Sequence, residues 1–278
     1  MGIRFLNKYM KSHGHQGIIH GSISRLKGKK VVVDASIYLY RFKSMGNLKT
    51  EMEKFLRMFQ KHHITPLFVF DGPPRSNKKE LIQERQKLKQ EAWKEYHDSS
   101  HLSQDYMLKL KKTFTRVSKQ DAESVKELMT ACHVSYIDAP HEADEICAKL
   151  MLEGHVDACM SDDMDMFMYG CSCVIRDVNV ESQTMVCYYT TSILHQLGLT
   201  HHEFKQIGVL SGSDYYKSSY TLYNVMSMFH AFKRTEHTDF YEWVKLHCPV
   251  DIDALWNAYR EYDVSTRKIV YSATGTAF

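Results

Sequence analysis

Lys29-Lys30-Val31-Val32-Val33-Asp34 is a short β-branched run that ends in a carboxylate, and it reads as a buried strand. Pro66-Leu67-Phe68-Val69-Phe70-Asp71-Gly72-Pro73-Pro74 repeats the plan: apolar strand, aspartate, turn residues. Asp157-Ala158-Cys159-Met160-Ser161-Asp162-Asp163 is a third copy of weaker propensity, and 134–137, 173–176 and 185–189 predict further strands. Helical patterns lie between them. Residues 48–61 put Met52, Phe55, Leu56 and Phe59 on one face, and 141–153 do the same with Ala143, Ile146, Cys147 and Leu150 before Gly154. Strands alternating with helices predict an α/β fold with a largely parallel central sheet flanked by helices. In such sheets the site lies beyond the carboxyl ends of the strands. Asp34, Asp71 and Asp163 all fall there, so three segments are expected to aim carboxylates at one crevice.

Composition narrows the class. A chain of 278 residues with 44% apolar and 25% charged residues suits one large soluble domain, or a domain with a small appendage. No apolar run approaches the ~20 residues of a membrane span, and the first residues lack the apolar centre of a secretory signal. Seven cysteines with no C-x-x-C pair argue against a zinc site or a disulfide framework and fit a reducing, intracellular compartment. A net charge of +3 alone says nothing for nucleic acid.

From about 75 to 130 the chain is highly charged, free of Pro and Gly and without strand patterns, and it reads as a helical insertion above the sheet. After Asp214 it is helical again, with Leu222, Val225, Met226, Phe229 and Phe232 as a core-facing stripe.

Acids recur where turns are expected. His141-Glu142-Ala143-Asp144-Glu145 opens a helix, Asp163 and Asp165 sit among Met and Phe, and Asp214 follows Ser211-Gly212-Ser213. Each has a plain reading: a strand-end aspartate is usually a turn former or a helix cap, and acids at a helix start complement its dipole. Those readings do not explain why several acids converge. A hard divalent cation does, since Mg²⁺ takes carboxylate, water and phosphate oxygens and needs no His or Cys. Two such ions ~3.5–4 Å apart can activate water and stabilise the leaving oxygen in phosphodiester hydrolysis.

MGI at 1–3, KGKKVVVDAS at 27–36, FVFDGPP at 68–74, VSKQ at 117–120, DAPHEADE at 138–145, SDDMDMFMYG at 161–170 and LSGSDYY at 210–216 stand in this order. As a set they resemble the flap endonuclease (XPG-type) family of structure-specific 5′ nucleases, over roughly residues 1–216. The resemblance implies a PIN-like nuclease core at 1–215 carrying a helical arch at about 75–130, then a helical region at 216–278. It implies Asp34, Asp71, Glu142 and Asp144 around a first Mg²⁺, and Asp163, Asp165 and Asp214 around a second, with Mn²⁺ as a substitute. The family usually has Glu where Asp144 stands, so Asp144 is a shorter ligand, and Glu145 competes for the role. Asp162 matches an acid that is not normally a ligand. On the arch, Lys78 and Arg85, seven residues apart, would grip the scissile phosphate, with Lys79 the alternative. Tyr40 would stack on a nucleobase, and Gly2 would sit near the site.

The activity implied is Mg²⁺-dependent cleavage of branched or flapped DNA in replication or repair, by a monomer acting at a nuclear or viral replication site. A 5′→3′ exonuclease, a junction nuclease or a non-catalytic DNA-binding scaffold are the alternatives. The sequence departs from the family in two further places. Arg4-Phe5 stand where a small residue usually follows MGI. No glycine lies between Gly212 and Gly275, so the Gly-rich hairpin of the helix-two-turn-helix module, which holds K⁺ and duplex, is expected to be absent or remodelled. No sliding-clamp box, Gln-x-x-aliphatic-x-x-aromatic-aromatic, is found.

Overall fold

The computed structural model describes residues 3–74, 79–98, 103–267 and 273–274. The strands are β1 (Ile18–Ser22), β2 (Lys30–Asp34), β3 (Thr65–Phe70), β4 (Ser135–Asp138), β5 (Ala158–Met160), β6 (Cys173–Asn179), β7 (Thr184–Tyr189) and β8 (Ala273–Thr274). The helices are α1 (Leu6–His13), α2 (Ala35–Met45), α3 (Leu48–Lys61), α4 (Lys79–Asp98), α5 (Gln104–Phe114), α6 (Lys119–Ala131), α7 (Ala143–Leu152), α8 (Asp165–Tyr169), α9 (Thr190–Leu197), α10 (His201–Leu210), α11 (Leu222–Phe232), α12 (Phe240–His247) and α13 (Ile252–Glu261). The architecture is the α/β class expected, a mixed, mostly parallel sheet flanked by many helices. None of the described helices is long and apolar enough to cross a membrane.

The chain forms two compact units, each drawn from several segments. The first comprises Leu26–Cys147, Val180–Gln183 and Ile269–Phe278. Its strands β2, β3 and β4 run parallel, with Val32 opposite Leu67, Asp34 opposite Val69 and Phe70 opposite Asp138. Strand β8 adds to β4 antiparallel. The three valines of β2 are fully buried, as a run without polar alternation requires. Helix α3 spans 48–61 as its periodicity predicts, and Met52, Phe55, Leu56 and Phe59 are all buried. Phe55 joins Tyr38 of α2 in a 4.3 Å stack and meets Phe68 of β3 edge-on.

The stretch read as one insertion divides in two. Helices α4 and α5 pack on each other. Helix α6 instead flanks the sheet: Val125 and Met129 are fully buried, and Lys126 pairs with Asp138 at the end of β4 at 2.8 Å. Its surface is so charged that two buried residues left no visible stripe.

The second unit comprises Met1–Arg25, Ala148–Asn179 and Thr184–Lys268. Here β5 pairs parallel with β6, while β6 with β7 and β1 with β7 are antiparallel. Strand β1 was not foreseen, because Ile18-Ile19-His20-Gly21-Ser22 has neither an apolar run nor clean alternation. The stripe on α11 is buried as expected, with Phe229 edge-on to Phe240 of α12 at 5.2 Å. Gly208 lets α10 approach closely, since a Cβ there would lie 2.6 Å from the Met168 sulfur and 2.7 Å from Ile3.

Candidate functional site

In the first unit the acids are tied together by short donors. Asp34 ends β2 and caps α2, its Oδ1 accepting from the Ser36 backbone N–H at 3.1 Å, and it is only 6% exposed. The Ser36 hydroxyl donates to Asp71 Oδ2 at 2.5 Å. The other oxygen of Asp71 accepts from the Ala143 N–H at 2.8 Å. Ala143 stands between Glu142 and Asp144 at the start of α7, so a chain of hydrogen bonds runs from the end of β2, past the end of β3, to the acidic helix start. The turn after β3 is equally close-fitting. Gly72 donates to the His141 carbonyl at 2.6 Å, and a Cβ on Gly72 would meet the Ala139 carbonyl at 2.2 Å, so only glycine fits. Glu142 and Asp144 are half-buried, whereas Glu145 is buried at 3% exposure.

Cations lie on the same unit. Arg85 is on α4, and Lys89 is one turn further along. The Lys89 ammonium lies 5.0 Å from the centre of the Tyr40 ring. Its pKa is pushed down by burial and by the charges of Arg116 and Arg85, so three cations share one neighbourhood. Tyr40 is 40% exposed, and its pKa is pushed up by burial and by the charge of Asp71. Tyr40 thus stands within electrostatic reach of Asp71 and in contact with Lys89. Lys89 and Arg116 escaped the sequence reading because only the seven-residue spacing of Lys78 and Arg85 was sought. Lys78 and Gly2 lie outside the described residues.

In the second unit Asp163 and Asp165 follow β5. Asp163 donates its N–H to Ser161 Oγ at 3.1 Å, and its Oδ1 accepts from the N–H of Asp165, the first residue of α8, at 3.0 Å. Asp165 is 4% exposed, and its Oδ2 accepts from the Tyr262 hydroxyl at 3.1 Å. Burial, then the charge of Asp165 and a smaller contribution from Asp214, holds the Tyr262 phenol protonated well above its ordinary range. Asp214 follows Ser213, which bridges to Tyr216 in a tight turn after Gly212 (φ 99°). Tyr262 is therefore a shared neighbour of Asp165 and Asp214. No sequence signal pointed to it, as it lies 97 residues from Asp165. Asp162 is engaged elsewhere: its Oδ1 accepts from the Asp177 N–H at 3.0 Å, and Arg176 donates to its carbonyl at 2.7 Å.

Among the described residues, no group of three or more His, Cys, Asp or Glu side chains stands close enough to enclose a metal ion. The chemistry of the donor set nevertheless fits a hard cation. It consists of carboxylates without thiolate or imidazole, and the linked Asp34, Asp71 and α7 start bring oxygen donors from three chain segments together.

Two family models match the chain: the XPG N-terminal domain over residues 1–92 and the XPG I-region over 133–214, together more than half of it. Flap endonuclease 1 of Xiphophorus maculatus is 31% identical over 234 residues, which cover 77% of this chain and 62% of the relative. Flap endonuclease 1 of Homo sapiens is 28% identical over 238 residues, covering 78% and 62%. The chain spans about three fifths of the length of these curated relatives. Among solved structures, the catalytic core of Rad2 in complex with DNA substrate aligns with a TM-score of 0.67 at 23% identity, covering 92% of this chain and 85% of that one. Flap endonuclease-1 from Methanococcus jannaschii aligns at 0.65 and 18%, covering 98% and 87%. These likenesses establish the fold. Matched at its N-terminal domain and its I-region in turn, the chain belongs to the XPG-type flap endonuclease family.

Proposed function

We propose that the chain is a divalent-metal-dependent, structure-specific 5′ nuclease that hydrolyses DNA phosphodiesters at branch points, in replication or repair. The observation that carries the reading is the hydrogen-bonded run Asp34–Ser36–Asp71–Ala143 on the unit that also holds Tyr40, Lys89, Arg85 and Arg116. Carboxylates that hold metal and cations that hold phosphate are the two halves of such a site. Asp34, Asp71, Glu142 and Asp144 would hold one Mg²⁺ or Mn²⁺, and Asp163, Asp165 and Asp214 a second. When bound, the ions lower the pKa of the attacking water and offset charge on the leaving oxygen. Arg85 and Lys78 grip the phosphate, Lys89 and Arg116 add positive charge beside it, and Tyr40 offers a ring to the flanking base. Residues 1–215 act as the nuclease core and 216–278 as a helical region in place of the helix-two-turn-helix module. The protein acts as a monomer on DNA inside the cell, at nuclear or viral replication sites.

A second reading within the family is an exonuclease or junction nuclease. It is favoured by the segment after Asp214, where a Ser213–Tyr216 turn leads to α11, begun by a Thr221–Asn224 capping box, with no glycine hairpin between. Purified protein and its Asp163→Ala variant, given Mg²⁺ and end-labelled single-flap, nicked, blunt and four-way-junction DNA, decide between them. Cutting at the flap base that is lost in the variant is the expected outcome. Cutting mainly from nicks or ends moves the assignment to exonuclease. Binding without any cleavage, with Mg²⁺ or with Mn²⁺, leaves only a scaffold.

A further inference from the structure

Arg4 and Phe5, where the sequence departs from the family pattern, have a conformation that neither the acids nor the arch accounts for. Phe5 precedes α1 at φ 67°, in the left-handed region that a bulky side chain avoids. Burial does not offset that strain, because the ring is 40% exposed. The Arg4 guanidinium lies over it, 4.8 Å from the ring centre. On its other flank is Tyr223 of α11, 6.2 Å away, tilted by 48° and itself 44% exposed. Tyr223 in turn meets Tyr9 edge-on at 6.1 Å, and Tyr9 stacks on His13 at 4.4 Å. Two large exposed rings therefore form a shelf, backed by the buried Tyr9 and edged by a guanidinium.

The two segments that carry the shelf hold cations and no acid of their own, although Lys11 meets Asp177 at 3.9 Å and Lys233 pairs with Glu203 at 2.9 Å. Residues 1–25 contain Arg4, Lys8, Lys11 and Arg25 and no Asp or Glu, in a chain whose net charge is only +3. Residues 215–235, which include Tyr223, contain Lys217, Lys233 and Arg234 and again no acid. The shelf thus joins two acid-free segments. An apolar shelf meant for another protein surface has no need to exclude carboxylates, whereas one that approaches a phosphodiester chain does. Exposed aromatic faces in a cationic setting are the elements that hold unpaired bases without reading their sequence. Strain retained at an exposed residue is characteristic of functional positions.

We propose that Phe5 and Tyr223, with Arg4 beside them, form a stacking subsite for an unpaired nucleobase of the nucleic-acid substrate. This rests on the reading of the chain as a nucleic-acid enzyme, and its test is independent of cleavage. The intact chain is titrated in EDTA into a single-stranded oligonucleotide containing 2-aminopurine, whose fluorescence is quenched by stacking, and into a blunt duplex. Phe5→Gly removes the ring and places a glycine where φ is positive; Tyr223→Leu keeps apolar bulk without the ring. In each variant the Kd for single strands rises about tenfold, the quenching is reduced, the duplex Kd moves less, and the melting temperature of Phe5→Gly is equal to or above that of the parent. Wild-type Kd and quenching in both variants overturn the proposal, and so does a lower melting temperature with unchanged quenching, which makes the rings packing elements only. Equal weakening for single strand and duplex also overturns it. Shelf-dependent quenching in a protein that cuts nothing sustains this inference while the nuclease reading falls; cleavage with shelf-independent quenching does the reverse.

Discussion

The two sets of acids are held by different means. In the first unit Asp34 receives its hydrogen bond from Ser36, two residues on, and Asp71 receives its own from Ser36 and Ala143, which stand beside acids in the other two motifs. In the second unit Asp165 is buried and receives a phenol hydroxyl from Tyr262, far along the chain. Donors carried by the acid-bearing motifs complete the first arrangement as soon as the strand ends and the start of α7 meet. The second requires the tail of the unit to be folded before its acid is satisfied. Acids held by backbone N–H groups should therefore tolerate loss of charge without loss of fold, and the acid held by a distant side chain should couple site to stability.

Asp71→Asn gives the largest effect. The amide oxygen still accepts from Ala143, so melting changes little, by about 1 kcal/mol or less. A carboxylate that would hold metal is gone, at a cost of several kcal/mol in the transition state, and single-turnover cleavage of a flap substrate falls on the order of a thousandfold. Cleavage within about tenfold of the parent would remove Asp71 from the site.

Tyr262→Phe tests the other half of the comparison. Asp165 loses its phenol donor in a buried place, which costs about 1–3 kcal/mol, or roughly 3–8 °C in melting temperature for a chain of this size. Cleavage falls by about tenfold, less than for Asp71→Asn, because no proposed ligand is removed. If melting is unchanged while Asp71→Asn unfolds the protein, the contrast between the units is inverted.

The same contrast separates what was legible in the sequence from what was not. Strands β2 and β3, helix α3 and the stripe on α11 stood out because burial on one or both faces imposes a period or an unbroken apolar run. Asp34, Asp71 and Asp163 were visible as acids at strand ends, and the structure adds that Asp34 caps α2 and that Asp163 accepts from the first N–H of α8. Strand β1 was not legible: His20 and Gly21 interrupt it, and it exists through pairing with β7 rather than through propensity. Helix α6 was grouped with the arch because its buried pair, Val125 and Met129, is outnumbered by charge. Tyr262 acts through one hydrogen bond and Ser36 through two, and such bonds leave no periodic trace in a sequence.

The smallest effect belongs to Lys89, and its sign is fixed by its surroundings. Burial, then Arg116 and Arg85, pushes its pKa below the ordinary lysine value of 10.5. The folded chain therefore holds this proton less tightly than the unfolded chain, and stability rises with pH between the lowered value and 10.5. Lys89→Gln removes that increment. Its melting temperature plotted against pH is flatter than the parent's in the alkaline range below 10.5. At neutral pH the two differ by about 1 kcal/mol or less, since relief of repulsion offsets the lost contact with Tyr40. Binding reports more sharply. If the lowered pKa marks a cation waiting for phosphate, the variant binds DNA more weakly, and the slope of log K against log salt shrinks by about 0.7–0.9. An unchanged slope would make Lys89 a partner of Tyr40 and nothing more, and would leave Arg85 and Arg116 to meet the phosphate without it.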